Sequence, residues 1–410
     1  MNLVKKEKSI INLFCLIFVV ALVQTIIMYA IFDIQHIFFI DNMIEDPGGD
    51  FYLTLLYSKD LNAYSFAGFT YPPLTMVIAY IIAMLDHMSF KISVDSVNWN
   101  LIFTNYYSKS LVYRVIFLIL CLIVFLIIFF LIHKIIMKRK KTSMSSFFVS
   151  LLIIFNSGFL SCLIRGNLSF LVCAYLFIYL EYYNSENIIY KNLSLLFLAL
   201  AFNIKPYVAI FGLMLLYDND YKSCIKLSIV SFILFIFPFI FVKGGLGVVP
   251  SYFKQLLTFG GQNIYLVSGK FLPLIITKII NHISLVSFHS SMFNSIVQVL
   301  IAFMLLIKGF YLKQRWLKVL LITCIMIVLS TNFGYIYIYM MIPLTYFITE
   351  EYLVNRTNLL FLLLFSILIA PYTICNELLN KQFVMISNAI ILIMIFMIMI
   401  SKSDDVITRT

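Results

Sequence analysis

Of the 410 residues, 63% are hydrophobic and 11% are charged, and the mean hydropathy is +1.03. A soluble domain is about 45–50% apolar and about 25% charged, so this composition excludes an ordinary soluble domain. The net charge of +11 fits Lys and Arg gathered in cytoplasmic loops of a membrane protein better than it fits a nucleic-acid surface.

The apolar residues come in continuous runs such as Ile116 to Ile132, which carries no charge. Runs of this kind lack the alternation of barrel strands, and only helices and closed barrels satisfy their backbone groups inside a bilayer. An all-α, polytopic membrane protein is therefore expected, forming a single integral domain over 1–410. The first run, Ile10 to Phe32, follows Lys5, Lys6 and Lys8 and is succeeded by Asp33-Ile34-Gln35-His36 rather than by a small-residue cleavage site. That pattern predicts a retained span with a cytoplasmic N-terminus.

Two basic loops fix the rest of the topology. One holds Lys134, Lys138, Arg139, Lys140 and Lys141; the other holds Lys308, Lys313, Arg315 and Lys318. Both are assigned to the cytoplasmic side, so an even number of crossings lies between Lys8 and Lys134. Of the apolar segments 10–32, 72–85 and 111–133, the middle one gives only ~21 Å of helix against a ~30 Å core and opens with Pro72-Pro73. It is expected to dip into or lie on the outer face, which leaves 33–110 as a first external segment.

Further spans are expected near 144–163, 167–183, 223–242 and 292–310. The stretch 192–217 is interrupted by Lys205-Pro206, and proline breaks a helical ladder, so two short helices meeting at Lys205 are expected. The alternative makes 192–217 one span and 271–289 another, although Lys278, His282 and His289 make that second span costly. Spans near 317–331, 335–349, 357–374 and 383–401 return the C-terminus to the cytoplasm, for about ten crossings in all and a multi-pass location in the cell membrane. A second external segment, 244–290, includes the glycine-bearing loop from Gly244 to Lys270, which reads as a connector or as a mobile lid.

The seven cysteines, Cys15, Cys121, Cys162, Cys173, Cys224, Cys324 and Cys375, are scattered, with no CxxC pair and no Cys/His cluster. Neither a zinc site nor a disulfide framework is indicated, and no metal is expected. Asp46 and Asp50 are separated by Pro47 and two glycines, which argues against a shared helical face.

Chemistry concentrates in the first external segment, which carries Asp33, Asp41, Glu45, Asp46, Asp50 and Asp60. Gly48 and Gly49 permit a tight turn that brings Asp50 to the start of a short helix, where the dipole favours a carboxylate. A fixed carboxylate at that place suits a general base; the plainer reading is that Asp50 is a helix N-cap. Arg165 and Lys205 are cations in an apolar context. Each reads either as a phosphate ligand, Arg165 by a two-pronged contact and Lys205 as a point charge, or as a snorkelling or structural group. Lys109 and Arg114 are weaker candidates of the same kind. Tyr71, Tyr335, Tyr337 and Tyr339 suit a sugar pocket or an interfacial aromatic belt.

Three patches resemble one family. Gly48-Gly49-Asp50 followed by an aromatic-rich helix and Tyr71-Pro72-Pro73-Leu74, then Arg165-Gly166-Asn167 opening a helix, then Leu198-Ala199-Leu200-Ala201-Phe202-Asn203-Ile204-Lys205-Pro206, together resemble the DUF2029 family, glycosyltransferase family 87. The patches cover roughly the first half of the chain, in the family's order. The resemblance implies a GT-C-like bundle of about 10–12 transmembrane helices. It also implies transfer of a single hexose, mannose being one option, from a polyprenyl-phosphate donor to a glycan or glycolipid acceptor on the external face. Asp50 falls on the family's catalytic aspartate, in an inverting reaction; Arg165 and Lys205 would bind the donor phosphate, with Tyr71, Asn167 and Tyr335 lining the substrate pocket. No cofactor beyond the donor substrate is implied, and no metal. One departure stands out. Where the family often carries Ser-Pro and then Trp and His, this chain has Ser330-Thr331-Asn332-Phe333-Gly334-Tyr335, so no imidazole role carries over. The alternatives are a surface-polysaccharide polymerase or ligase, which would rely on external arginines, and a lipid-linked sugar flippase or transporter, which would show matching broken helices in two halves.

Overall fold

Every described element is helical, as apolar runs without two-residue alternation require. The computed structural model describes residues 12–19, 23, 48–59, 61–62, 64, 69–85, 110–138, 143–262, 291–329, 334–350, 356–369 and 377–401. In chain order the helices are α1 (Gly49–Ser58), α2 (Pro73–Ala83), α3 (Leu111–Met137), α4 (Ser143–Ile154), α5 (Ser157–Arg165), α6 (Ser169–Tyr182), α7 (Ile188–Phe202), α8 (Leu213–Tyr217) and α9 (Tyr221–Ile236). They continue as α10 (Val249–Gln262), α11 (Ser291–Gly309), α12 (Arg315–Leu329), α13 (Met341–Thr349), α14 (Arg356–Ile369) and α15 (Glu377–Ile400). Short 3-10 segments lie at Pro206–Gly212, Phe237–Phe241, Gly245–Val248 and Gly334–Met340. Among the described residues there is no strand, so the all-α class holds.

Two stretches are long and apolar enough to cross a membrane, Leu111–Met137 and Tyr221–Phe241. At 1.5 Å per residue they reach about 40 Å and about 32 Å. Their apolar surface is turned outward: Leu111, Leu118 and Leu122 on the first and Ile225, Phe232 and Ile240 on the second are all exposed. The other apolar helices in the described residues are shorter, at 10–17 residues.

Chain contacts group into two compact units. The described residues within Asp41–Ile128 and Leu160–Gln262 make up the first. There α1 packs on α2, whose first residue is Pro73, a position where a missing N–H costs nothing. Tyr113 on α3 donates its hydroxyl to the Ala83 carbonyl at 2.9 Å, and Phe117 stacks on Phe51 with ring centres 5.2 Å apart. Buried hydroxyls of α1 are satisfied within the helix: Thr54 donates to the Asp50 carbonyl and Ser58 to the Thr54 carbonyl, each at 2.7 Å. Tyr57, Tyr64, Phe69, Met76, Phe239, Val242 and Tyr252 form a buried, mostly aromatic cluster that fixes α1 and α2 against the start of α10. Helices α6 and α7 pack side by side, and the Asn187 side chain accepts from the Ile189 N–H to start α7. Asp220 does the same for α9 through Ser223 and pairs with Lys191 at 2.6 Å.

The second unit gathers the described residues within Met1–Ile40, Phe129–Phe159 and Asn263–Thr410. Its centre is Trp316, fully buried and set edge-on to Phe347 and Phe361 at 4.9 and 5.1 Å between ring centres. Tyr337 donates to the Asn388 side chain at 2.8 Å, and the Lys308 ammonium closes the end of α15 on the Ser401 carbonyl at 2.7 Å.

Several expected spans come out differently. The segment 144–163 is not one helix. Asn156, buried, donates to the Ile153 carbonyl at 2.7 Å and accepts from the Phe159 N–H at 2.9 Å, so one side chain ends α4 and caps α5. The segment 335–349 opens as the 3-10 helix Gly334–Met340; Pro343 lacks the N–H that the Tyr339 carbonyl would need in an α-helix. The segment 192–217 does break at Lys205-Pro206, with α7 before it and 3-10 turns after it. The loop from Gly244 is no plain connector, because α10 occupies Val249–Gln262. Most of the first run, 33–47, 86–109 and 263–290, together with Lys278, His282, His289, Lys109 and Cys375, lie outside the described residues.

At Gly158, near the start of α5, an added Cβ would come within 2.5 Å of the Ile338 nitrogen and 2.9 Å of the Ile338 Cα, both backbone atoms that cannot swing away. Gly158→Ala is expected to destabilise the protein by about 1–3 kcal/mol through overpacking. A melting curve of the detergent-solubilised variant, several degrees below wild type, is the check.

Candidate functional site

Helix α5 ends at Arg165 in a left-handed turn. Gly166 has φ 66°; its N–H bonds the Leu163 carbonyl at 3.1 Å, and the Asn167 N–H bonds the Cys162 carbonyl at 2.9 Å. These two bonds are a Schellman closure, which favours glycine at the left-handed residue. Glycine is demanded here for a second reason. A Cβ on Gly166 would meet the Gly48 Cα at 2.8 Å and its carbonyl oxygen at 2.9 Å. Gly48 is itself left-handed, at φ 79°, and starts α1. Two glycines in backbone contact therefore set the end of α5 against the beginning of α1.

The residue emerging from that turn is Asn167, only 2% exposed. Its Nδ2 donates to the Asp50 Oδ2 at 2.6 Å. Its Oδ1 accepts from the Ser169 N–H at 3.1 Å and from the Ser169 hydroxyl at 2.7 Å. Both donors face the same oxygen, which fixes which way the amide points. The bond to a charged acceptor contributes about 1.5–3 kcal/mol in a buried setting. The other carboxylate oxygen, Oδ1, faces the Arg165 Nη2 at 3.7 Å, with side-chain exposures of 42% for Arg165 and 21% for Asp50. At that distance and exposure the ion pair is loose and adds little stability. Asp50 is thus anchored through one oxygen and open through the other.

Lys205 occupies the break after α7, in extended backbone at φ −135°. Its ammonium donates to the Tyr71 hydroxyl at 3.2 Å and sits 4.3 Å from the centre of the Tyr71 ring. Tyr71 is held from behind, since its carbonyl accepts from the Tyr64 hydroxyl at 2.9 Å. The break is tied to α2 through Thr75, which donates to the Asn203 carbonyl at 2.8 Å. Lys205 and Arg165 both fall within electrostatic range of the region around Asp50 and the buried Cys162. The first unit therefore holds one anchored carboxylate, two cations and a tyrosine hydroxyl as a group. That grouping can accept a proton at Asp50 and hold an anion with Arg165 and Lys205.

Of the sequence-derived candidates, Asp50, Arg165, Asn167, Lys205 and Tyr71 are brought together. The backbone of Tyr335 lies in the 3-10 helix of the second unit, and its side chain is outside the described residues. The N-cap reading of Asp50 is corrected, because Gly48 takes the cap position without a side-chain bond and Asp50 stands in the first turn facing Asn167. Ser169 and Tyr207, whose hydroxyls are 3.5 Å apart, were not among the candidates. An Asn whose side chain can accept from the N–H two residues on is an Asx-turn signal, and it is the local cue that could have linked Ser169 to this turn. Among the described residues no group of three His, Cys, Asp or Glu side chains is placed to hold a metal. No family model, curated protein or solved structure matches the chain.

Gly166→Ala is expected to cost about 1–3 kcal/mol from its left-handed backbone, and more from the overlap with Gly48. Gly247→Ala, with nothing within 4 Å of the added carbon, serves as the control. Melting curves should show a clear fall for the first and almost none for the second.

Proposed function

We propose that this chain is a membrane glycosyltransferase that moves one hexose from a polyprenyl-phosphate donor to an external glycan or glycolipid hydroxyl, with inversion. The observation that carries the reading is the Asp50 carboxylate, anchored by Asn167 at 2.6 Å and facing Arg165 at 3.7 Å. The sequence resemblance to the DUF2029 family supports the donor class and the direction of transfer. Support for the membrane comes from α3 and from α9 with its 3-10 extension. Their apolar faces are exposed, and each buried methylene is worth about 0.8 kcal/mol, so such faces are stable only in an apolar solvent.

In the proposed reaction the acceptor hydroxyl gives its proton to the open Oδ1 of Asp50. Its oxygen bonds the anomeric carbon as the bond from that carbon to the phosphate oxygen breaks. The electron pair leaves with the polyprenyl phosphate. Arg165 and Lys205 stabilise the phosphate charge that grows as the bond breaks, and no metal is needed because a lipid monophosphate carries no diphosphate to bridge. Tyr71 orients the Lys205 ammonium toward the donor.

Membranes containing the protein, supplied with a radiolabelled polyprenyl-phosphate hexose, should transfer label to an endogenous glycan or glycolipid. Asp50→Asn should stay folded and abundant, melting only modestly below wild type because its amide oxygen still accepts from Asn167, while lowering transfer on the order of a hundredfold or more. Full transfer by that variant removes the reading. Label incorporated only from a pyrophosphate-linked oligosaccharide favours a polymerase or ligase instead.

A further inference from the structure

Asn167 has two roles that its geometry separates. Through Oδ1 it takes the N–H and hydroxyl of Ser169, the first residue of α6, from just outside the Leu168 cap position; through Nδ2 it holds Asp50. The accepting oxygen can be supplied by an amide or a carboxyl, whereas only an amide, or a protonated carboxyl, can donate to Asp50. Ser169 is fully buried, and its hydroxyl at 2.7 Å and its N–H at 3.1 Å together keep the Asn167 oxygen turned away from the carboxylate. A reversed amide would set oxygen against oxygen across 2.6 Å. We propose that Asn167 and Ser169 are a positioning pair for the transfer reaction: Ser169 sets the amide, and the amide aims the open oxygen of Asp50 at the acceptor hydroxyl. This rests on the glycosyltransferase reading and extends it to two residues that act through Asp50.

Among the described residues, charged and titratable groups that act on the surroundings of Asp50 include Arg165 from the end of α5, Lys205 from the break after α7, and the Cys162 thiol from within α5.

Asn167→Asp is the deciding variant. It keeps an oxygen for the Ser169 N–H and hydroxyl, so melting should stay close to wild type in mildly acidic buffer. At neutral and higher pH it sets two carboxylates against each other, and transfer should fall on the order of tenfold to a hundredfold, the cost of a misplaced base. As pH is lowered, the introduced carboxyl takes up a proton, becomes a donor and restores part of the activity. The variant's rate therefore falls between mildly acidic and neutral pH, where the wild-type rate does not. Ser169→Ala gives the second reading: kcat drops on the order of tenfold, donor KM changes less than twofold, and the melting curve falls by no more than the few degrees one lost hydrogen bond accounts for. A purely structural role would lower the melting curve of Ser169→Ala without changing kcat and leave the shape of the pH profile of Asn167→Asp unchanged. If Asp50→Asn is inactive while Asn167→Asp keeps the wild-type pH profile and Ser169→Ala keeps the wild-type kcat, the positioning role is overturned and the transferase reading stands. Transfer that survives Asp50→Asn overturns both.

Discussion

A carboxylate in a chain with so little charge needs a partner that is itself held still, and Asn167 supplies one for Asp50 at 2.6 Å across 117 positions of sequence. The bond is short, charge-assisted and made by a residue that is almost wholly buried, so water competes for it poorly. It leaves one carboxylate oxygen turned toward a half-exposed arginine. A carboxylate bound through both oxygens would be a structural ion, and one bound through neither would wander. The asymmetry is what gives the site its chemical reading.

That bond depends on backbone shape more than on side chains. Two left-handed glycines, Gly48 and Gly166, touch through their backbones and bring a helix start and a helix end to one place. The same economy recurs at Lys205, where Pro206 forbids continuation of the α-helix and leaves the lysine in extended backbone beside Tyr71. Asp50, Arg165, Asn167 and Lys205 thus each stand at or beside the start or the end of a helix. Apolar helices can pack in many registers. The interruptions cannot, because each has backbone groups that must be satisfied in one way.

Much of this was legible in the sequence because interruptions leave residue signatures. Gly48-Gly49-Asp50, Arg165-Gly166-Asn167 and Lys205-Pro206 each mark a break by a residue type that a helix interior tolerates badly, and all three meet in one unit. The all-α class followed from unbroken apolar runs. What was not legible came from contacts distant in sequence. Asp50 read as a cap because Asp is a good cap, and nothing local reveals that Gly48 takes that place while a residue from beyond α5 claims the carboxylate. The break at Asn156 was hidden for the opposite reason, since an Asn inside an apolar run reads as tolerated until its side chain is seen bonding both helix ends.

The central claim, that Asn167 holds Asp50, is tested most directly by a double-mutant cycle in thermal unfolding, using Asp50→Ala, Asn167→Ala and the pair, since alanine at either position removes the bond. If the two side chains share a charge-assisted bond, their effects are strongly non-additive, with a coupling of about 1–3 kcal/mol. Effects that add to within about 0.5 kcal/mol would mean that the two residues act independently, and the account built on their contact would be wrong.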